Sequence, residues 1–304
     1  MVQYRLEYAL TKVVAWVAKI LPFRLAMALG DRIGDLFYYV IRIRKKVALA
    51  NLKHALGNEK KDGELKAILQ RNYRHFGRML LEFAHLPQMT RESIVNQIPI
   101  ENPAHLQELM LRNRGVLILS GHFGNWEYLA ARLANVGAAL HCVFKEQKNK
   151  AVDRLIKEVR LNLGMVPLKV KGGAAKGVLM ALRQKELVLI VMDQDAGRNG
   201  EFLPFLGRLA STNRGPALIA IKHRVPVVMA FAIRQPNGSI VVRLEKFPEI
   251  DQFPDDETGV TQFLTAYNRI LEHYIREYPE QWFWMHRRWK TQPRIPDEKS
   301  VAIV

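Results

Sequence analysis

Two unbroken apolar runs constrain this chain most: Val116-Leu117-Ile118-Leu119, set between Gly115 and Gly121, and Leu187-Val188-Leu189-Ile190-Val191-Met192. A strand with one face in water alternates apolar and polar residues, so a continuous apolar strand has to be covered on both faces. The segments between such runs carry helical signals. Trp126 to Val136 reads as a helix ending at Gly137, Ala151 to Leu163 as one ending at Gly164, and Ala174 to Gln184 as another. Leu140 to Phe144 is a further strand. Thr212 to His223 reads as helical, and Thr258 to Tyr278 as a long amphipathic helix stopped by Pro279. Val225 to Ile233 and Ser239 to Leu244 form a hairpin around Pro236-Asn237-Gly238. Strands alternating with helices, plus one hairpin, predict an α/β fold with a central mixed sheet flanked by helices.

Residues 1–95 read differently, as helix throughout. Glu64 to Leu86 has apolar residues at helical spacing (Leu65, Ile68, Leu69, Tyr73, Phe76, Leu80, Phe83) and stops at Pro87. The expected organisation is a helical, membrane-associating region over 1–95 and one continuous catalytic core over 96–304. Leu6 to Leu21 is mostly apolar, but Glu7, Lys12 and Lys19 interrupt it, so it falls short of the roughly 18 uncharged residues of a spanning helix. Phe23 to Ile43 is also apolar and leads into Arg44, Lys45, Lys46 and Lys53, with no acidic residue between Asp35 and Glu59. Apolar helices beside a basic cluster, with Trp16, Phe37, Tyr38 and Tyr39 as interfacial aromatics, predict an anchor lying on anionic lipid. An ordinary pair of core helices with solvated basic faces is the alternative. Over the whole chain of 304 residues, 46 basic against 29 acidic side chains give a net charge of +17. That balance suits an anionic bilayer, an acidic carrier protein or nucleic acid. The single cysteine, Cys142, excludes an internal disulfide and lies in an apolar run suited to packing.

Ligands of α/β proteins gather where strands end and loops enter helices. Leu119-Ser120-Gly121-His122-Phe123-Gly124-Asn125-Trp126-Glu127 occupies such a place. Gly121 and Gly124 allow a tight turn from which His122 projects, with Glu127 in the first turns of the helix. On one continuous helix these two would stand about 140° apart, at about 100° per residue, so they can meet only if His122 precedes the helix. An imidazole backed by a carboxylate removes a proton from a hydroxyl near neutral pH, the carboxylate fixing the tautomer from the ring's other nitrogen. Backbone N–H groups at the helix start are the expected oxyanion donors. A histidine capping a core turn is the competing reading. Ser120 is no nucleophile elbow, because Ile118 and His122 stand where G-x-S-x-G needs glycines.

Gly121-His122-Phe123-Gly124-Asn125-Trp126-Glu127 resembles the signature of the lipid A biosynthesis late acyltransferases, the lauroyl and myristoyl transferases. Similar blocks follow in the family's order: Met192-Asp193-Gln194-Asp195-Ala196-Gly197, Phe202-Leu203-Pro204-Phe205-Leu206-Gly207, Ala210-Ser211-Thr212, and Trp282-Phe283-Trp284-Met285-His286-Arg287-Arg288-Trp289-Lys290. The resemblance spans nearly the whole chain. It implies an O-acyltransferase at the cytoplasmic face of a bacterial inner membrane, with an acyl carrier protein thioester as co-substrate and no other cofactor. It further implies a glycolipid acceptor such as a lipid A precursor, His122 and Glu127 as an HX₄E catalytic pair, and no metal. The family commonly has Arg after the second strand, often followed by Asn-Pro; here Lys145 and Asn149 stand there, with Lys150 and Ala151 following. Lysine keeps the charge and loses the planar two-pronged fork.

The remaining substrate-binding candidates carry alternatives. Asp193 and Asp195 follow a buried strand and are expected to bind sugar hydroxyls or hold basic groups, with a magnesium site as the rival. Arg208 and Arg214 flank the Phe205–Gly207 turn and suit the acceptor's phosphates or the donor's phosphopantetheine arm, or else plain solvation. Gly172-Gly173-Ala174-Ala175-Lys176-Gly177 superficially looks like a phosphate loop, but Val178 stands where the lysine should, and a helix entry is expected. Two other function classes remain open, a non-catalytic membrane scaffold and a nucleic-acid-binding protein. Against the latter, the basic residues are spread out and no nucleic-acid motif stands out.

Overall fold

The computed structural model describes residues 2–169 and 174–293. Its order begins with helices α1 (Val2–Ile20), α2 (Phe23–Leu36), α3 (Lys45–Leu56), α4 (Asp62–His85) and α5 (Arg91–Gln97). Then come β1 (Ile100–Glu101), α6 (Ala104–Leu111), β2 (Val116–Ser120), α7 (Trp126–Leu133), β3 (Leu140–Phe144), α8 (Lys150–Asn162), β4 (Met165–Lys169), α9 (Ala174–Arg183) and β5 (Leu187–Val191). A hairpin of β6 (Glu201–Phe205) and β7 (Arg208–Thr212) precedes α10 (Gly215–Lys222), β8 (Val227–Arg234), β9 (Ile240–Lys246) and α11 (Glu257–Glu277). Seven strands form one mixed sheet in the order β1-β9-β8-β2-β5-β3-β4, with β8 and β9 antiparallel and every other pairing parallel. The expected α/β class with a mixed, helix-flanked sheet is therefore the observed one.

The apolar runs are buried on both faces. Leu117, Leu119, Val188 and Ile190 point into one hydrophobic layer, and Val116, Ile118, Leu187 and Leu189 into the other. Fully burying such a side chain contributes about 1.5–3 kcal/mol. The first layer also holds Ala48 and Leu52 of α3, Leu65, Leu69 and Tyr73 of α4, and Phe263 and Leu271 of α11. Helices α3 and α4 thus share the sheet's own core.

α2 and α4 approach until their backbones touch. A Cβ on Gly77 would lie 2.1 Å from the carbonyl oxygen of Gly30. Two forked ion pairs flank this contact, Arg78 on Asp31 (2.6 Å) and Arg74 on Asp35 (2.8 and 2.9 Å). Asp35 is held below its ordinary carboxylate value, chiefly by the Arg74 hydrogen bond.

Three elements escape the sequence pattern. β1 is two residues long. β4 contains Pro167, which argues against a strand but is tolerated at a sheet edge, where β4 lies. The β6–β7 hairpin turns on Leu206 and Gly207, both with positive φ (49° and 81°), as a two-residue turn of the I′ kind requires. That strand pairing runs to Thr212, so the helix expected from Thr212 begins at Gly215. In α4 the expected apolar stripe is displaced: Leu80 is exposed, whereas Asn72, His75 and Glu82 are buried. Gly172 and Gly173 of the phosphate-loop-like segment lie outside the described residues, and the chain is helical from Ala174.

Candidate active site

β2 and β5 lie side by side with Ser120 opposite Val191. The chain leaves β2 towards β3, on the far side of β5, and leaves β5 for β8, on the far side of β2. The first connection packs α7 into one hydrophobic layer and the second packs α10 into the other, so the two part to opposite faces of the sheet and a crevice opens at the carboxyl ends of these strands. His122 and Asp193 each stand two residues past the paired positions Ser120 and Val191, so the register sets them against each other. His122 Nδ1 lies 2.6 Å from one Asp193 oxygen, and the backbone N–H of His122 donates to the other at 2.9 Å. The indole N–H of Trp282 donates to that second oxygen at 2.7 Å. A carboxylate only accepts, so Nδ1 carries the proton and Nε2 keeps a lone pair.

Burial pushes the Asp193 carboxyl up, but the imidazole's charge and the hydrogen bonds from the ring, the indole and the His122 backbone outweigh it. The net value lies below the ordinary one, and Asp193 is an anion at neutral pH. The His122 side chain retains 25% of its exposure against 3% for Asp193. The ring is walled by Trp126 (5.0 Å between centroids) and Phe283 (6.3 Å). The side-chain amide nitrogen of Gln194 stands 3.2 Å from Nε2.

Glu127 does not take the place the sequence reading gives it. Its two oxygens receive Arg160 of α8, at 2.5 and 3.1 Å, and the position on Nδ1 of His122 belongs to Asp193. The reason lies in α7, whose first residue is Trp126: Glu127 is already on the helix, while His122 sits in the turn before it. Arg160 stacks on Phe144, 3.6 Å from the ring centroid, and the Glu127–Arg160 pair is nearly buried.

The loop's backbone donors are likewise committed. The N–H of Phe123 donates to the Gly121 carbonyl (2.7 Å), that of Gly124 to Gln281 (2.9 Å) and that of Asn125 to Ala232 (2.9 Å). With His122 N–H on Asp193, the N–H groups of residues 122–125 are spent, which leaves those of Trp126 and Glu127 as the helix-start donors expected from the sequence. Gly124 has φ +59°, and a Cβ there would lie 1.9 Å from the Ala232 carbonyl oxygen, so no other residue fits.

Beneath the loop lies a second polar cluster that the sequence reading missed. Arg234 of β8 grips Glu82 of α4 through two 2.6 Å bonds. Asn125 caps α7 by accepting from Tyr128 N–H and donates its amide to Glu82 at 2.7 Å. His75 accepts from Arg234 at Nδ1 (3.3 Å) and donates from Nε2 to the Gly124 carbonyl (3.1 Å). Burial, then the Arg234 charge, push His75 down to about 3, so it is neutral. Asn72, His75 and Glu82 recur at helical spacing on one face of α4, and polar groups on an otherwise apolar face were the available signal.

The other expected ligand residues scatter. Asn149 is buried as the cap of α8, accepting from Ala151 and Val152 N–H, while its amide donates to the Tyr4 carbonyl and Glu7 of α1. Every polar atom of its side chain is used, which corrects its assignment to substrate. Lys145 is exposed. Asp195 accepts from the hydroxyl and N–H of Thr291. Arg208 is exposed, whereas Arg214 pairs with Glu257 and Glu201 and is not free for a phosphate. Burial pushes the Cys142 thiol up, which suits packing rather than attack.

Fold and site define a class: an α/β protein with a carboxylate-held imidazole where parallel strands end and two connections part. The chain belongs to the bacterial lipid A biosynthesis acyltransferase family, whose sequence model matches residues 2–291. It is therefore an acyltransferase. It is similar to the lipid A biosynthesis palmitoleoyltransferase of Escherichia coli (strain K12), 26% identical over 92% of this chain and 90% of that protein. The lauroyltransferase of the same organism is 27% identical over the same shares. A phosphatidylinositol mannoside acyltransferase of Mycolicibacterium smegmatis is 23% identical over 78% of this chain and 76% of its own length.

Proposed function

We propose that this protein transfers a fatty acyl chain from an acyl carrier protein thioester to a hydroxyl of a lipid A precursor, with His122 as general base. The observation that carries the reading is the 2.6 Å bond from Nδ1 to a buried, ionised Asp193, which turns Nε2, met by the exposed Gln194 amide, towards the substrate. The acceptor hydroxyl displaces the Gln194 amide, gives its proton to Nε2 and attacks the thioester carbonyl carbon directly. Asp193 keeps the tautomer and steadies the imidazolium. No acyl-enzyme forms, because Ser120 is buried and bonded to the Ala230 carbonyl (2.7 Å) and Cys142 is buried. Glu127 positions Arg160 instead of touching the ring. The relatives named for lipid A biosynthesis support the acceptor; the mannoside acyltransferase supports a second reading, in which the acceptor is another bacterial membrane glycolipid.

The proposed place of action is the cytoplasmic face of the inner membrane. Among the described residues no helix is long and apolar enough to cross a membrane. α1 is fastened by one side, through the Ala18 carbonyl to His85 and Gln88 and through Tyr4 to Asn149. Its other side exposes Leu6, Leu10, Val13, Trp16 and Ile20, spaced on one helical face, with Leu10 at 62% and Trp16 at 61%. Such a stripe suits a helix lying in the interface. Tyr39 is exposed too, whereas Tyr38 is buried under Lys45, whose ammonium lies 3.5 Å from the ring centroid, and so is not an interfacial aromatic.

The test is mass spectrometry of lipid A precursor incubated with acyl carrier protein thioester and the purified protein. One added acyl group is expected, Asp193→Asn cutting the rate by about 10²–10⁴ as the tautomer is lost. Unacylated precursor, or full activity in Asp193→Asn, overturns the reading.

A further inference from the structure

Resting on the proposed transfer, a second question is what stabilises the charge that the transfer creates. As the acceptor oxygen bonds to the thioester carbonyl carbon, the C=O electron pair moves onto oxygen. It returns when the C–S bond breaks, and the departing thiolate takes the proton that Nε2 of His122 had received from the hydroxyl. The products are an ester and a free carrier thiol. The oxyanion needs a donor; the N–H groups of residues 122–125 are spent, which leaves those of Trp126 and Glu127 at the start of α7 and the side chains around the ring. The Gln194 amide is aimed at His122 itself.

The chain beyond α11 is laid against the His122 loop. Phe123 bridges Trp282, the N–H of Phe283 donates to the His122 carbonyl (2.9 Å), and the N–H of His286 turns back to the Phe283 carbonyl (3.2 Å). Asn51 of α3 clamps the carbonyls of Trp284 (2.8 Å) and His286 (2.7 Å). Phe283, whose ring also walls His122, thus carries His286 one turn beyond it to the edge of the His122 loop. The Nδ1 of His286 is buried and has no partner among the described residues, while the residue as a whole is half-buried. An orphaned buried N–H is rarer and costlier than an orphaned lone pair, so the proton sits on Nε2, the nitrogen that is not sealed in.

We propose that His286 is a catalytic residue whose Nε2–H donates a hydrogen bond to the oxyanion on the thioester carbonyl. Burial pushes its value down to about 4; the Asp193 carboxylate pulls the other way, and the charges of His122 and Arg288 oppose a second cation there. At neutral pH it is an uncharged donor, unable to compete with His122 for the hydroxyl's proton.

Two readouts test this. In the transfer assay, His286→Phe is expected to lower kcat about 10²–10³-fold with KM changed less than about threefold. His286→Gln, which restores an N–H, recovers at least about tenfold of that loss. The second readout needs no turnover: dodecylphosphonate, a tetrahedral anion on an acyl-length chain, is titrated by calorimetry into wild type, His286→Phe and His286→Gln. Binding at least about tenfold weaker in the Phe variant, regained in Gln, supports the assignment. Equal binding by wild type and Phe, no binding by wild type, or a kcat loss that Gln does not relieve overturns it. If the transfer reading fails instead, wild type leaves the lipid unacylated while the phosphonate still distinguishes the variants.

Discussion

Two histidines flank the turn at residues 121–125, one above it in the crevice and one below it in the core, and they differ in what holds their nitrogens. His75 spends both, on Arg234 and on the Gly124 carbonyl, inside a cluster whose Glu82–Arg234 pair is almost wholly buried. His122 spends Nδ1 on Asp193, and its Nε2 meets the exposed Gln194 amide (3.2 Å), a partner that a substrate hydroxyl can displace. The lower cluster fixes the backbone of Gly124 and the cap Asn125, and so fixes the turn from which His122 projects. The comparison teaches that a histidine beside a charge is not in itself a catalytic signal: chemistry needs a nitrogen whose partner a substrate can displace, stability needs partners that nothing displaces.

The difference is broken most directly at His122. His122→Ala is expected to lower the transfer rate by about 10²–10⁴, the usual worth of a general base, with the melting temperature nearly unchanged. A variant that turned over normally would remove the distinction between the two rings. Below the loop the consequence should be the reverse. Glu82→Ala strands the Arg234 charge in the core, and denaturant titration should show a loss of about 3–5 kcal/mol. Replacing both partners with apolar residues of similar size should cost far less. If Glu82→Ala left stability intact, the cluster would not be the scaffold described.

Acid sharpens the same contrast. His75 stays neutral in the fold down to about 3, against an ordinary value of 6.5, so between those values the unfolded chain binds the extra proton. Stability is thus unpenalised above about pH 6.5 and falls on acidification by about 1.4 kcal/mol per pH unit from this one group. A His75→Gln variant should show a shallower slope of unfolding free energy across that window, and an unchanged slope would contradict the buried neutral imidazole. The smallest effect belongs to Gln194→Ala. Its amide contributes one neutral hydrogen bond to Nε2, so the rate should change less than about tenfold. A loss as large as that of His122→Ala would mean that the Gln194 amide is not a partner the substrate displaces.

How much of this was legible depends on separation along the chain. His122 stands out because Gly121 and Gly124 bracket it after a buried strand, a local pattern. Asp193 is marked by the same logic, as a carboxylate following the strand at Leu187–Val191, but nothing local joins it to His122 across the 71 positions between them. Glu127, five residues away, is the nearer candidate by sequence, and the helix starting at Trp126 carries it to Arg160 instead. Asn149 looks like a ligand residue by resemblance and serves as a buried cap.

By itself the sequence determined the α/β class, the buried strands and the turn at His122, because periodicity, glycine placement and burial demand are properties of neighbouring residues. Which carboxylate holds the imidazole, which donors the loop has left, and which charges lie under it were decided only by tertiary structure. The physical reason is strand order: placing β5 beside β2 brings residues remote in sequence within 2.6 Å, and no local pattern encodes that adjacency.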